Sequence, residues 1–289
     1  MNLHLLDKIK QQMPSFSKGQ KSIANYIIEE YDKAAFMTAA KLGQMVGVSE
    51  STVVRFATEL GYDGYPQLQK AMQEMIRSKL TILQRMEVSN NRIGDDVLAR
   101  VLEQDVEKIK TTLEETSRQD FNRAVELITH ARCIYIFGVG SSEALAVFLR
   151  YYFSLVFDNV IHVITSSETA IFEQMLRIGS EDVLIGISFP RYSRRAVKAA
   201  RFANDRGANV IAITDSMASP MARQAGCVLL ARSDMVSFAD SLVAPLSLIN
   251  ALIAAVGIQM KDQVNDTFTE LERLWEEYKV YEKPESETW

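Results

Sequence analysis

The chain has 289 residues, with 32 Lys+Arg against 37 Asp+Glu and 47% hydrophobic residues. That is enough for about two domains with buried cores. Thirteen Gly and six Pro exclude a collagen-like or wholly disordered chain. No run approaches the roughly 18 uncharged apolar residues of a membrane-spanning helix. The opening MNLHLLDKIKQQM has charges within its apolar segment and lacks a signal-peptide pattern. A cytoplasmic protein with no membrane partner is expected.

Cys133 and Cys227 each sit inside an apolar run and read as small buried hydrophobes. With only His4, His130 and His162 beside them, no His/Cys ligand cluster assembles, so neither a metal nor a cofactor is expected. Residues 1–80 carry ten basic and eight acidic side chains, a net +2, and the remainder carries −7. A +2 module can approach DNA, but one copy holds few phosphates, so a DNA-binding chain of this kind needs more than one copy.

From the front, Ile23, Ile27 and Tyr31 share a helical stripe over 18–31 that Ala24 and Ile28 widen. Thr38 caps a helix to about Val46, burying Ala39, Leu42 and Val46. Gly47-Val48-Ser49 breaks it, and Ser49 caps the next helix, Glu50 to Leu60, whose inward face is Val53, Phe56, Ala57 and Leu60. Gly61 stops that helix, and Tyr62, Tyr65 and Leu68 pack the next one. Two short helices around a Gly-Val-Ser turn have helix-turn-helix spacing. Gly43 costs about 1 kcal/mol of helix propensity, and close crossing of the two helices explains it. The second helix would enter the major groove N-terminus first, with Ser49, Ser51, Thr52 and Arg55 as base or phosphate contacts. The alternative is a helical packing or dimerisation module that touches no DNA.

Residues 80–117 read as a charged connector helix. Its stripe of Ile93, Val97, Val101, Val106, Ile109 and Leu113 is expected to pack at the edge of the next domain. Five apolar runs then read as buried strands: Ile134–Phe137, Val160–Ile164, Val183–Ile187, Val210–Ile213 and Cys227–Leu230. Helical patterns lie between most of them, at Glu143–Phe157, Ala170–Ile178, Arg194–Arg206 and Ser219–Ala225. Such alternation means a parallel sheet covered on both faces, with right-handed crossovers and ligands beyond the strands' C-terminal ends. That rule selects the loops 138–142, 165–169 and 188–194. An apolar helix over 241–259 and an amphipathic one over about 264–278, with Phe268, Leu271, Leu274 and Trp275, serve either subunit association or packing within the chain.

Gly138-Val139-Gly140-Ser141-Ser142 follows a strand and precedes a helix, a geometry that cradles an anion on backbone N–H groups and hydroxyls. A dinucleotide site would want a third glycine where Glu143 stands, and an acid where Thr165 and Ser166 stand. A smaller phosphate fits better. Ser188-Phe189-Pro190-Arg191-Tyr192-Ser193-Arg194-Arg195 offers hydroxyls and guanidinium groups suited to a phosphate or a carboxylate. Gly140, Ser141, Ser142, Ser188, Arg191, Ser193 and Arg194 are the candidate ligand residues, with Arg195 the weakest. Glu143 and Glu168 stand near strand ends where a base for sugar chemistry would act, but no catalytic constellation is legible and no catalytic residue is assigned.

Together the two modules resemble the RpiR/MurR family of bacterial transcriptional regulators. The resemblance is carried by AAFMTAAKLGQMVGVSESTVVRFATELGYDGYPQLQ (Ala34 to Gln69) and by IYIFGVGSS, VLIGISFP and NVIAITDS within a SIS (sugar isomerase) domain from about Ile134 to Gly257. It implies a helical DNA-binding domain (1–78), a helical connector (79–119) and a SIS-like domain with C-terminal helices (120–289). The latter would be a three-layer α/β domain with a five-stranded parallel sheet of flavodoxin-like topology. The implied function is a homodimeric or homotetrameric regulator of sugar or sugar-acid metabolism. It would bind double-stranded operator DNA under control of a phosphorylated sugar or sugar acid, with the SIS domain sensing rather than turning over its ligand. The alternative is a phosphosugar isomerase or lyase with a helical accessory domain. In the family the hydroxyls after the first strand hold the sugar phosphate, which carries over to Ser141 and Ser142. After the third strand the family pattern is Ser-x-Ser-Gly-x-Thr. This chain keeps Ser188 but replaces the rest with Pro190-Arg191-Tyr192-Ser193, where Tyr192 could stack on a ring face.

Overall fold

The computed structural model describes residues 5–79, 96–164, 167–235 and 239–282. The chain divides into two compact units, Met1–Val88 and Ser89–Trp289.

The first unit is helical: α1 (Leu5–Gln12), α2 (Lys18–Glu29), α3 (Tyr31–Ala34), α4 (Ala39–Val46), α5 (Glu50–Glu59) and α6 (Tyr65–Lys79). The caps fall where the sequence places them. Thr38 accepts from Lys41 N–H and Ser49 from Thr52 N–H, while Ser17 forms a reciprocal capping box with Gln20. Gly47 and Gly61 end α4 and α5 at φ +74° and +79°, which glycine adopts without a Cβ clash. Ile23, Ile27, Leu42, Val53, Phe56, Leu60, Leu68 and Met72 form one core. Helix α1 had no counterpart among the expected elements, yet Leu5 and Ile9 are buried in that core.

The second unit holds α7 (Val97–Glu115), α8 (Arg118–Thr129), β1 (Ile134–Gly138), α9 (Ser141–Phe153), β2 (Val160–His162), α10 (Glu168–Gln174), β3 (Val183–Ile187), α11 (Arg194–Asp205), β4 (Asn209–Thr214), β5 (Cys227–Leu230), α12 (Val243–Gln259) and α13 (Lys261–Glu277). The five strands are parallel in the order β2-β1-β3-β4-β5. Side chains alternate across the sheet. Ile134, Ile136, Ile185, Ile187, Ile211, Ile213 and Leu229 face a core shared with α8, α9 and α12. Tyr135, Phe137, Leu184, Val210, Ala212 and Val228 face α10 and the alanine stripe Ala196, Ala199, Ala200 and Ala203 of α11.

Several expected boundaries need correction. The helix expected over 219–225 is only a 3-10 turn, Ala222–Gln224, because Pro220 and Gly226 leave too few residues for a helix. Helix α9 begins two residues early, at Ser141, and ends at Phe153, while Phe157 packs back on Phe153 at 5.7 Å. Edge strand β2 pairs with β1 for only three residues and stops at His162. The largest correction concerns α7. Its packed face is Asp105, Lys108 and Thr112, while of the expected stripe Val97, Val106, Ile109 and Leu113 are exposed, with Leu98 and Leu102 beside them, and Val101 is half-buried. Ile93, like the rest of 80–95, lies outside the described residues. Helix α13 leaves α12 at 97° with none of its residues buried. Among the described residues no single helix is long and apolar enough to cross a membrane.

Candidate functional site

In the first unit, the Ser49 Oγ lies 2.9 Å from both Ser51 Oγ and Thr52 Oγ1, and accepts from Thr52 N–H at 3.3 Å. The capping residue thus gathers three hydroxyls at the N-terminus of α5. Arg55, one turn on, is exposed and donates from Nε to Ser51 O at 3.3 Å. All four expected DNA-contacting residues therefore share one end of one helix. A Cβ added at Gly43 would lie 2.8 Å from Val48 O, so α4 and the turn approach too closely for any side chain.

In the second unit, the sheet register brings the loops together. Gly138 pairs with Ile187, so the chain leaves β1 and β3 side by side at the same level. Ser188 N–H donates to Ile213 O, and Ala231 N–H to Thr214 O, which sets the ends of β4 and β5 on the same rim. A Cβ at Gly138 would lie 2.4 Å from Ser142 O, so the β1–α9 turn closes only on glycine. Gly140 is the N-cap of α9 at φ +65°. Ser141 is exposed and donates to Asp240 Oδ2 at 3.3 Å, while Ser142 and Ser188 are buried.

Arg191 occupies the left-handed region at φ +66°. Such a backbone costs a non-glycine residue about 1–2 kcal/mol, and strained residues of this kind cluster at functional sites. It stands where the pattern implied by the resemblance has glycine, and it places a guanidinium on a backbone that glycine adopts freely. The Tyr192 hydroxyl donates to Asp215 Oδ1 at 2.8 Å, which fixes the position of the ring. Ser193 is the N-cap of α11 without a capping hydrogen bond, and exposed Arg194 and Arg195 open that helix. Helices α7, α8 and α10 are capped by Asp96, Ser117 and Ser167, whereas α9, α11, α12 and α13 begin without a side-chain cap, and of these α9 and α11 follow β1 and β3. Unmatched N–H groups, together with arginines at the positive end of a helix, favour an anion.

The loop after β2 is only partly described; Thr165 and Ser166 lie outside the described residues. Glu168 is exposed, and Lys198 hydrogen-bonds both its oxygens at 3.1 and 2.8 Å. That pairing lowers its pKa, which opposes a role as a base. The sequence reading missed three rim residues, Asp215, Ser233 and Asp240. Ser233 Oγ is buried without a hydrogen-bond partner among the described residues. These residues follow β4 and β5 without a glycine motif to flag them. Cys227 is buried, and Cys133 is half-buried; both are free.

A helix-turn-helix unit joined to a SIS α/β unit defines the class of the protein. The model described as "Helix-turn-helix domain, rpiR family" matches residues 3–79, and the SIS domain model matches 127–255. The sugar isomerase domain of an RpiR transcription factor from Sphaerobacter thermophilus is 30% identical, with a TM-score of 0.57 over 62% of this chain and 99% of that one. The HTH-type transcriptional regulator HexR of Escherichia coli (strain K12) is 26% identical over 230 residues, 77% of this chain and 76% of HexR. The Vibrio vulnificus NanR protein complexed with ManNAc-6P shares the fold at 24% identity and TM-score 0.55, over 93% of this chain and 98% of NanR. The chain belongs to the RpiR family of DNA-binding transcriptional regulators.

Proposed function

We propose that this regulator binds a palindromic operator as a homo-oligomer and that a phosphorylated sugar or sugar acid, held at the C-terminal rim of the SIS sheet, controls the binding. The observation that carries the reading is Arg191. A strained arginine at the head of an uncapped helix, one strand from the Ser141-Ser142 turn, is a costly arrangement without an anion to hold. Gly140, Ser141, Ser142, Ser188 and Ser193 supply N–H and hydroxyl donors around it, and Arg194 supplies a second guanidinium. NanR, which shares the fold, is complexed with a sugar phosphate. The SIS unit senses rather than catalyses: the rim collects donors for an anion, and Glu168 is engaged by Lys198. The exposed apolar stripe of α7 supports association between copies, which also gives an operator-binding chain the multiple contacts it needs.

The test is a titration of the full chain onto fluorescent DNA from the region upstream of its own gene, with and without a pool of phosphorylated sugars and sugar acids. A sequence-dependent shift that the pool alters is expected, and fractionating the pool names the effector. Sequence-dependent binding indifferent to every pool component would overturn the sensing role. Turnover of a pool component would favour the isomerase or lyase reading.

A further inference from the structure

The inward face of α7 is polar. Asp105 and Lys108 are 9% and 7% exposed and form an ion pair at 2.9 Å. Thr112 Oγ1 accepts from Arg232 N–H at 2.9 Å, the C-cap Thr116 shares its hydroxyl hydrogen between Thr112 O at 2.6 Å and Leu230 O at 2.8 Å, and Glu115 pairs with Arg232. Ser241 Oγ donates to Asp105 Oδ1 at 2.6 Å. Every one of these partners outside α7 lies between the end of β5 and the start of α12. Asp240, which accepts from Ser141 of the β1–α9 turn, belongs to the same stretch. Asp240 therefore touches the anion turn while its neighbour Ser241 touches α7.

A hydroxyl has one hydrogen to donate, so Ser141 cannot serve both Asp240 and an incoming anion. The two negative charges also repel each other at such range. An apolar seam tolerates sliding, whereas a seam of buried hydrogen bonds and an ion pair has one register and breaks when a partner moves. A two-arrangement element is what coupling between distant sites requires. In sequence, α7 is the first described element after the helix-turn-helix unit.

Building on the reading of the β1–α9 turn as an anion cradle, we propose that Asp240-Ser241 is the coupling device of this regulator. Asp240 is a resident carboxylate that competes with the effector for Ser141, and Ser241 transmits its displacement to α7 through Asp105. The effector's phosphate thus replaces an internal anion, and the polar seam of α7 loosens as it binds.

The experiment follows inorganic phosphate binding to the full chain by calorimetry and by hydrogen–deuterium exchange. In the wild type, phosphate is expected to protect 138–142 and to speed exchange within 97–115. Asp240→Asn removes the competing charge and is expected to tighten phosphate roughly fivefold. Ser241→Ala is expected to keep the protection at 138–142 but to lose the response in 97–115, and to hold phosphate as tightly as the wild type or more so, since the seam no longer opposes binding. Ser241→Thr, which retains the hydroxyl, is expected to restore that response. Unaltered phosphate affinity in Asp240→Asn, or an intact 97–115 response in Ser241→Ala, overturns the coupling while leaving the cradle in place. Absence of protection at 138–142 in the wild type overturns the cradle and the coupling with it.

Discussion

The Tyr192 hydroxyl donates to Asp215 Oδ1 at 2.8 Å, tying the loop after β3 to the buried carboxylate at the end of β4. Arg191 lies immediately before this anchor and after Pro190, whose ring fixes its own φ. Its left-handed backbone is thus bracketed on both sides. A hydrogen bond to a charged group contributes about 1.5–3 kcal/mol. Tyr192→Phe is expected to lower stability by an amount within or below that range, since Thr214 Oγ1 also reaches Asp215 Oδ1 at 3.4 Å. It should weaken effector affinity as well, because the loop is less ordered. Thermal unfolding and effector titration of the variant check both; unchanged effector affinity would mean that the anchor does not position the site.

The Arg191 backbone separates strain from function. Replacing it with glycine removes a strain of about 1–2 kcal/mol but adds unfolded-state freedom worth roughly 0.4–1 kcal/mol. Arg191→Gly is therefore expected to fold with wild-type stability or slightly better. Both Arg191→Gly and Arg191→Ala should abolish the effector response while leaving operator affinity near wild type. Retained effector sensitivity in the glycine variant would remove the guanidinium from the site.

Three glycines give a graded stability series. Alanine at Gly138 meets Ser142 O at 2.4 Å, and at Gly43 meets Val48 O at 2.8 Å, both backbone atoms that cannot swing away. Overpacking of this kind costs about 1–3 kcal/mol, offset at Gly43 by about 1 kcal/mol of helix propensity. At Gly257, inside α12, a Cβ meets nothing within 4 Å. Gly257→Ala is expected to stabilise by about 0.5–1 kcal/mol, with Gly43→Ala destabilising and Gly138→Ala most so. Denaturant unfolding of the three variants checks the order.

What was legible followed from periodicity and punctuation. The continuous apolar strands, the caps Thr38 and Ser49, and the stop at Gly61 each express a local rule, so they survive in the structure. The α7 face was not legible. Its apolar residues recur at helical spacing, and the rule that such a stripe faces its own core fails when the packed partners are polar groups far along the chain, such as Arg232 and Ser241. The rim showed the same division. Ser141 and Ser188 follow a glycine motif or an unusual loop, whereas Asp240 reaches Ser141 across 99 positions, a pairing that only the folded sheet creates.

His162 gives a pH dependence. Burial disfavours its charged form and lowers its pKa below 6.5, with Arg150 adding to the effect and Glu143 opposing it. Its buried Nε2 has no hydrogen-bond partner among the described residues. Above the unfolded value of 6.5 the ring is neutral in both states and contributes no pH dependence. As pH falls below it, the unfolded chain takes up a proton that the folded chain resists, so stability declines until the folded pKa is passed. His162→Gln is expected to flatten this acid-side decline. Chemical unfolding at a series of pH values checks it, and an equally steep decline in the variant would assign the effect to other groups.

Arg55 tests the DNA-binding end independently of the ligand. It stands one turn beyond the hydroxyl cluster of Ser49, Ser51 and Thr52, exposed and bonded only to the α5 backbone among its described hydrogen bonds. Arg55→Ala leaves the core residues Val53, Phe56 and Ala57 untouched, so the fold and the effector-induced thermal stabilisation are expected to remain. Operator affinity should fall. If the guanidinium meets a phosphate, binding weakens evenly across sequences and the salt-dependence slope drops by about 1; if it reads a base, discrimination at one position relaxes by about 1–3 kcal/mol. Fluorescence anisotropy at several salt concentrations, on the operator and on point-substituted sites, distinguishes the two. An unchanged affinity on every site would return α5 to a packing role and leave the DNA contact to be sought elsewhere in the first unit.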